Sequence, residues 1–182
     1  MRIIAGHCRG RRLVQIQGQE IRPTSDRVRE ALFNIIGPWI RDKRVLDLFA
    51  GTGAFGLEAL SRGAAEAVFV DGAQASCAVI QKNIDLCRMG DRSFILCHSL
   101  GQAPLPQALF KTPFDLVFLD PPYRQGLADQ VLARPEFLSL VAEDSLIIVE
   151  QAHKEPLTVH AGLDIFRQKK YSDTMISFIG KI

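Results

Sequence analysis

The sequence predicts an α/β protein built on a doubly wound, mostly parallel β-sheet. Short apolar runs alternate with helix-forming segments from Arg44 onward, and near-continuous apolarity is typical of strands buried on both faces. A glycine-rich turn follows the first run, as at the ligand-binding edge of such sheets. The predicted strands are 45–49, 67–71, 94–97, 114–119 and 146–150. Helix-forming residues fill the segments between them, at 54–62, 74–88 and 126–142. A closing antiparallel hairpin is predicted from 163–170 and 174–180.

The residues before Arg44 predict an N-terminal β-hairpin followed by a helix. Residues 2–16 have the pattern of two short strands around a turn at Gly6–Gly10. A helix is predicted to begin at Thr24–Asp26 and to end at Gly37–Pro38. Its apolar positions at helical spacing are Val28, Leu32, Ile35 and Ile36. We expect this amphipathic helix to act as a lid or a brace.

Length and composition indicate one globular domain. The chain has 182 residues, of which 47% are hydrophobic and 23% charged. We divide it into an extension over 1–43 and a catalytic core over 44–182. No run approaches the roughly 18 apolar residues of a membrane helix, and the opening lacks the apolar region of a signal peptide, so we expect a soluble, cytoplasmic protein. We also expect a monomer, although the sequence carries no signal for the oligomeric state.

The spacing of the cysteines indicates neither a disulfide framework nor a metal site. They are scattered along the chain at Cys8, Cys77, Cys87 and Cys97. We expect reduced, mostly buried thiols, because a disulfide framework suits a smaller secreted chain and a metal site needs clustered ligands. No metal is predicted.

Positive charge is concentrated near the start of the chain. Residues 1–44 carry a net charge of +6 and the remainder −4. Arg9, Arg11 and Arg12 form a compact, arginine-rich group within this segment. Such asymmetry indicates a polyanionic partner, and the alternative is a solubilising surface.

The turn after the first strand is a candidate cofactor site. Gly51–Gly56 satisfies the pattern G-x-G-x-x-G, and Asp71 ends the next strand, where a ribose-binding carboxylate belongs. The glycine pattern and the position of Asp71 also fit a NAD-binding site. A carboxylate at Asp47 facing the pocket suits the ammonium and sulfonium of S-adenosylmethionine, however, and repels a pyrophosphate. The candidates are Asp47, Phe49, Ala50, Gly51, Thr52, Gly53 and Asp71. The alternative interpretations are that Asp47 is a capping or turn carboxylate and that Asp71 is a helix N-cap or a solvated strand end.

The fourth predicted strand ends in the most specific motif of the chain, Asp120-Pro121-Pro122-Tyr123. An exocyclic base amine is a poor nucleophile, because its lone pair is delocalised into the ring. The Asp120 carboxylate and the Pro121 carbonyl can accept hydrogen bonds from it, and Pro122 helps to fix the turn before substrate arrives. Tyr123 offers a ring for stacking. The alternative is an Asx-Pro turn with an exposed tyrosine. Glu150 ends the fifth strand on the same edge of the sheet; we interpret it as an ordinary exposed strand-end carboxylate, and the alternative is a contact with the substrate.

Taken together, these motifs resemble the RsmD family of bacterial 16S ribosomal RNA guanine-N2 methyltransferases. The likeness spans the chain and rests on 1–6, 22–34, the turn over 47–53, 120–123 and 171–174. It implies a Rossmann-like class I S-adenosylmethionine-dependent fold with a seven-stranded sheet, a guanine amine as target and an RNA-facing hairpin at Arg9, Arg11 and Arg12. Three positions depart from the usual pattern: Asp71 for glutamate, Ala73 for an acidic residue, and His98-Ser99 for Gly-Asp, which leaves Ser99 as the candidate adenine contact.

Three rival functions stay open on the sequence alone. Asp-Pro-Pro-Tyr also suits DNA adenine-N6 and protein glutamine methyltransferases, although a DNA enzyme normally needs a separate target-recognition region. The glycine pattern alone suits a NAD-dependent oxidoreductase. A non-catalytic RNA-binding assembly factor would tolerate the loss of Asp120.

Overall fold

Strands and helices alternate along the chain as the apolar pattern predicts. Residues 1–16, 26–103, 105–106 and 112–182 are described in the structure, a computed structural model. Within them the strands are β1 (Arg44–Leu48), β2 (Glu66–Asp71), β3 (Ser93–Cys97), β4 (Phe114–Leu119), β5 (Val141–Ala152), β6 (Leu163–Tyr171) and β7 (Thr174–Lys181). The α-helices are α1 (Asp26–Ile36), α2 (Ala54–Ser61), α3 (Gln74–Cys87), α4 (Leu127–Leu132) and α5 (Phe137–Leu140).

The strands form one mostly parallel, seven-stranded sheet in the order β3-β2-β1-β4-β5-β7-β6. Strands β1 to β5 pair in parallel, whereas β7 runs antiparallel to both β5 and β6. The predicted fold class is confirmed. Strand order reverses between the neighbours β1 and β4, and ligands bind at the carboxyl edge of such a switch point.

Both faces of the sheet are covered, because strand residues alternate between two separate apolar clusters. Val45 of β1 packs on one face with residues of α1, α2 and α3. Leu46 and Leu48 pack on the other face with residues of α4 and α5. Successive side chains of a strand point to opposite faces. Asp47 therefore shares the face of Val45 and is directed toward α2.

One core prediction is wrong. Strand β3 is an edge strand that pairs only with β2 among the described residues, and Phe94 is 56% exposed, so burial on both faces does not hold there. The helix-forming segment 126–142 holds two helices, α4 and α5, on either side of Pro135, and its last residues belong to β5, which starts at Val141. Proline has no N–H and ends a helical hydrogen-bond pattern.

The N-terminal hairpin forms without the two predicted strands. A single antiparallel bridge joins Arg2 to Arg12. The reason is that nearby backbone donors are taken by α2: the Ile4 and Ala5 N–H groups donate to the Glu58 carboxylate at 2.7 and 3.0 Å. Gly6 allows this docking, because a Cβ there would lie 1.8 Å from the Ser61 carbonyl oxygen. We call residues 1–16 the arm.

Helix α1 braces the arm against the core. Its buried side chains are Arg29, Leu32, Phe33 and Ile36, while the predicted Val28 and Ile35 are only partly buried. Phe33 contacts Phe118 of β4 with ring centroids 5.6 Å apart. The α-helix ends at Ile36, directly before the predicted stop at Gly37–Pro38, and a 3₁₀ turn follows over Gly37–Ile40. The predicted start at Thr24 lies outside the described residues.

The cysteines differ from the sequence expectation. Cys77 and Cys97 are joined in a disulfide, so the prediction of four reduced thiols is wrong for this pair. Strand pairing brings them together, because Cys97 stands beside Asp71 in the sheet and Cys77 lies in the helix that follows Asp71. Cys8 and Cys87 are buried free thiols. No helix of the described residues has the length and apolar character to cross a membrane.

Candidate active site

A cavity of about 860 Å³ opens at the switch point of the sheet. Its size is that of a small-molecule site. The turns after β1, β2, β3 and β4 all contribute to its wall. The sequence-predicted residues that it brings together are Phe49, Ala50, Gly51, Thr52, Asp71, Ser99, Asp120, Pro121, Pro122 and Tyr123.

Asp71 holds the glycine-rich turn in place. One carboxylate oxygen accepts the Gly51 N–H at 2.8 Å, and the other accepts the Ala73 N–H at 2.9 Å. Phe49 starts the turn with a left-handed φ of +59°, an uncommon conformation for a bulky residue that often marks a functional turn. Both Asp71 oxygens thus have one backbone donor each and retain lone pairs for a ligand on the cavity side.

Asp47 and Gly53 do not lie on the wall of the cavity. Strand alternation turns Asp47 away from the cavity toward α2, and its carboxylate accepts the Gly56 N–H at 2.9 Å. The predicted orientation of Asp47, facing the cofactor, is therefore wrong. We propose instead that Asp47 supports the turn from behind, by holding the first residues of α2 against β1.

Burial gives Asp47 a pH-dependent effect on stability. Desolvation raises the pKa of Asp47 to about 8, with a smaller contribution from Asp71, against the lowering effect of the Gly56 hydrogen bond. The folded state then binds a proton more tightly than the unfolded state does. The contribution of Asp47 to the free energy of unfolding is therefore fully present below its unfolded pKa, near 4, and is lost as the pH rises through about 8.

We therefore expect Asp47→Asn to become more stable, relative to the wild type, as the pH rises. The amide oxygen can still accept the Gly56 N–H but cannot ionise. The relative gain between pH 6 and pH 9 should be on the order of 2 kcal/mol. Thermal unfolding at both pH values measures it, with the exposed Asp164→Asn as the matched control. A loss of stability that is equal at both pH values would contradict the assignment.

The turn after β3 closes the far side of the cavity beside Asp71. The His98 N–H donates to the Asp71 carbonyl oxygen at 2.9 Å, and the His98 ring contacts the Ala103 carbonyl oxygen at 3.2 Å. Ser99 follows on the cavity wall. A contact between its hydroxyl and an adenine amine stays a prediction.

Asp120 stands one residue beyond β4 and next to the glycine-rich turn. Its backbone N–H reaches the Leu48 carbonyl oxygen at 3.4 Å, so the ends of β1 and β4 stay aligned up to the motif. Pro121 is buried and Pro122 exposed, and both line the cavity. The candidate catalytic acceptors thus share one cavity with the candidate cofactor turn.

Tyr123 is held at its hydroxyl end. The hydroxyl donates to Glu150 Oε1 at 3.0 Å and lies 3.0 Å from Thr174 Oγ1. Burial, and then the charge of Glu150, raise the pKa of Tyr123, so the group stays a neutral phenol. Glu150 is 5% exposed, and the prediction that it is an ordinary exposed carboxylate is wrong. Glu150 instead fixes the ring that we predict to stack on the base.

Asn83 is a site residue that the sequence did not reveal. This fully buried side chain of α3 donates to the Thr52 carbonyl oxygen at 2.9 Å and to the Val14 carbonyl oxygen at 3.1 Å. Its Oδ1 accepts the Val14 N–H at 2.7 Å. One amide thus ties the arm to the candidate cofactor turn. The available signal was an asparagine among the apolar positions of α3.

The basic residues of the arm lie at the surface. Arg9, Arg11 and Arg12 are exposed, and none forms an ion pair with an acidic residue in the described part of the chain. The arm continues to Gln15 and Ile16, which line the cavity. The arm thus carries exposed arginines in its turn and contributes its last residues to the cavity wall.

The strand order, with its antiparallel β7, and the cavity at the switch point define a Rossmann-like class I methyltransferase. Within that class, the family model described as Conserved hypothetical protein 95 matches residues 1–180. The chain belongs to this family, which is the RsmD family of the sequence resemblance.

Curated relatives and solved structures agree with this assignment. Ribosomal RNA small subunit methyltransferase D of Escherichia coli K12 is 40% identical over 170 residues, covering 93% of this chain and 84% of that protein. The enzyme of the same name from Haemophilus influenzae is 34% identical over 169 residues, covering 93% and 88%. The structure of the Escherichia coli protein yhhF matches with a TM-score of 0.81 and 34% identity, over 100% of this chain and 97% of that one.

Proposed function

We propose that this protein transfers a methyl group from S-adenosylmethionine to the exocyclic N2 amine of a guanine in 16S ribosomal RNA. The observation that carries the proposal is the placement of Asp120 and Pro121 beside the glycine-rich turn within one cavity. The relatives named as small-subunit ribosomal RNA methyltransferases support the reaction class and the type of RNA. The choice of guanine N2 rests on the family resemblance.

The cavity suits S-adenosylmethionine better than a dinucleotide. Asp71 on the wall can accept hydrogen bonds from ribose hydroxyls, and Ser99 stands beside it for the adenine. Two carboxylates, Asp71 and Asp120, line the cavity, whereas Arg29 is the one permanently cationic side chain among its described lining residues. This charge balance opposes a pyrophosphate and favours a ligand that carries positive charge.

The protein's part in the reaction is to prepare the amine. S-adenosylmethionine supplies an electrophilic methyl group on a sulfonium. The Asp120 carboxylate and the Pro121 carbonyl accept hydrogen bonds from the two N–H groups and draw the nitrogen lone pair out of the ring. As the new N–CH₃ bond forms and the S–CH₃ bond breaks, the nitrogen loses one proton, which Asp120 accepts. Tyr123, fixed by Glu150, holds the plane of the base.

The target base must leave its stack before it can reach Asp120. Methyltransferases that act on a base inside structured nucleic acid extrude it into a pocket. Phosphate contacts from Arg9, Arg11 and Arg12 would hold the flanking backbone while the base stacks on Tyr123. The arginines would then act on RNA affinity and the motif on chemistry.

The test is to identify the methylated product. We expect the purified protein to transfer labelled methyl groups from S-adenosylmethionine to 16S RNA, either free or in the small subunit from a strain that lacks the enzyme. Nuclease digestion and mass spectrometry should then yield N2-methylguanosine. Methyladenosine in DNA, methylglutamine in protein, or binding of NAD without methyl transfer would each establish one of the rival functions.

A further inference from the structure

Asn83 is the point at which the arm and the glycine-rich turn share one side chain. It is fully buried on α3. Its Oδ1 accepts the Val14 N–H at 2.7 Å, and its Nδ2 donates to the Val14 carbonyl oxygen at 3.1 Å and to the Thr52 carbonyl oxygen at 2.9 Å. An amide group has two N–H donors, and both are used here. Two of the three bonds go to the arm, and the third goes to the turn.

The arm fixes the orientation of this amide. Val14 presents both an N–H and a carbonyl group to it, so the amide is paired with the backbone of the arm on both sides. A flipped amide would direct its NH₂ group at the Val14 N–H and its oxygen at the two carbonyl oxygens. Buried polar groups that oppose one another lose their hydrogen bonds and stay desolvated. The N–H that Asn83 gives to Thr52 therefore depends on the docked arm.

This N–H holds the peptide group between Thr52 and Gly53. The carbonyl of that group accepts from Asn83, and its N–H donates to the Ala50 carbonyl oxygen at 2.7 Å. Gly53 has a left-handed φ of +76°, and a glycine backbone changes conformation more readily than that of any other residue. Bonds at both ends of the peptide group keep the turn in one conformation. Thr52 itself lies on the cavity wall.

The arm also reaches the turn directly. The Thr52 hydroxyl donates to the Met1 sulfur at 3.4 Å, and Met1, Gln15 and Ile16 line the cavity together with Thr52. The other anchor of the arm, Glu58, does not line the cavity. Asn83 is therefore the anchor through which a displacement of the arm reaches the turn.

We infer that Asn83 is a positioning residue for cofactor binding, which makes the affinity for S-adenosylmethionine depend on the docked arm. This rests on the proposed function and deepens it. With the arm in place, the cofactor meets a turn that already has its binding conformation, and binding does not have to order it. When the arm leaves Asn83, the Thr52–Gly53 peptide group loses its fixed donor, and part of the binding free energy goes into ordering the turn.

Val14→Pro tests the inference from the side of the arm. Proline has no N–H, so the bond to Asn83 Oδ1 is lost, and Val14→Ala, which keeps that N–H, is the matched control. By calorimetry, Val14→Pro should bind S-adenosylhomocysteine about 2- to 10-fold more weakly than the wild type does, as for one lost hydrogen bond. Val14→Ala should bind it like the wild type. Equal affinities for the two variants would overturn the inference.

A double-mutant cycle separates an effect through Asn83 from a direct effect of the arm on the cavity wall. Asn83→Ala alone should weaken S-adenosylhomocysteine binding at least as much as Val14→Pro does. In the Asn83→Ala background, Val14→Pro should add little, because the bond that it removes is already absent. If the two effects added in full, the arm would act through its own wall residues, and Asn83 would not be the positioning residue.

Stability has to be separated from positioning. Gln81→Ala removes an exposed amide of α3 and should leave the affinity unchanged. Thermal unfolding is recorded for every variant, because a residue with only a structural role lowers the melting temperature and leaves the affinity of the folded protein as it was. That result for Asn83→Ala would contradict the inference.

A measurement on the arm variants covers the case in which Asn83→Ala fails to fold. The backbone amide resonance of Gly53 should shift in Val14→Pro and stay in place in Val14→Ala. A Gly53 resonance that ignores both substitutions would overturn the inference and leave the proposed function intact. Failure of the wild type to bind S-adenosylhomocysteine would instead refute the proposed function.

Discussion

Asp120→Ala is expected to transfer methyl groups at least about 100-fold more slowly than the wild type, with little change in cofactor affinity. In the proposed mechanism, the substitution removes a preorganised acceptor for the amine and for its proton. The Asp120 side chain lies beyond β4, and the backbone contact from its N–H to Leu48 does not depend on it. We therefore expect the fold and the glycine-rich turn to survive and the defect to be chemical.

Single-turnover methylation separates this defect from a loss of binding. The RNA and the enzyme are mixed at saturating concentrations, and S-adenosylhomocysteine affinity is measured in parallel. Asp164→Ala, an exposed carboxylate on β6, serves as the control and should react at the wild-type rate. A near-wild-type rate for Asp120→Ala would remove Asp120 from the mechanism and revive the interpretation of a non-catalytic RNA-binding factor.

Replacing Arg9, Arg11 and Arg12 together by alanine is expected to weaken RNA binding and to flatten its salt dependence. Each lost phosphate contact reduces the slope of log affinity against log salt by about 0.7 to 0.9, so the triple variant should lose roughly two to three units. Cofactor affinity should not change. The three side chains are exposed, whereas the arm is docked through its backbone and its buried residues Ile3 and Leu13.

Binding of 16S RNA or of small subunits over a salt series measures this effect. A double alanine variant at Arg167 and Lys170, exposed cations of β6 at the sheet edge, controls for a general loss of positive charge. The control should reduce the slope much less than the arm variant does. Parallel lines and equal affinities for the wild type and the arm variant would mean that the arginines are a solvated surface.

The order and the bounds of the central strands were predictable because they depend on local apolar runs. Strand β4 has the predicted limits, 114–119, β1 is shifted by one residue at both ends, and β2 begins one residue earlier than predicted. Strand β5 extends over 141–152, well beyond the predicted 146–150. The site motifs were predictable for a related reason: parallel strands bring their carboxyl ends to one edge, so 49–52 and 120–123 meet without any long-range information. Edge position was not predictable, and β3 is consequently more exposed than its apolar sequence suggests.

The buried polar contacts around the site were not predictable, because they depend on which elements pack together. Asp47 has a typical motif position, but its direction follows from the alternation of β1 and the placement of α2. Glu58, Asn83 and Arg29 are charged or polar residues on helices, a pattern that usually indicates a solvated face. All three are fully buried here, because the arm covers that side of the core.

The two anchors of the arm restrict how its length can vary among related proteins. Glu58 holds the backbone at Ile4 and Ala5, and Asn83 holds it at Val14, while both anchors sit on helices of the rigid core. An inserted or deleted residue between Ala5 and Val14 would have to be absorbed by the turn that displays Arg9 and Arg11. Family members should therefore vary in sequence between Ala5 and Val14 but keep the same number of residues there, so that the arm has a constant length.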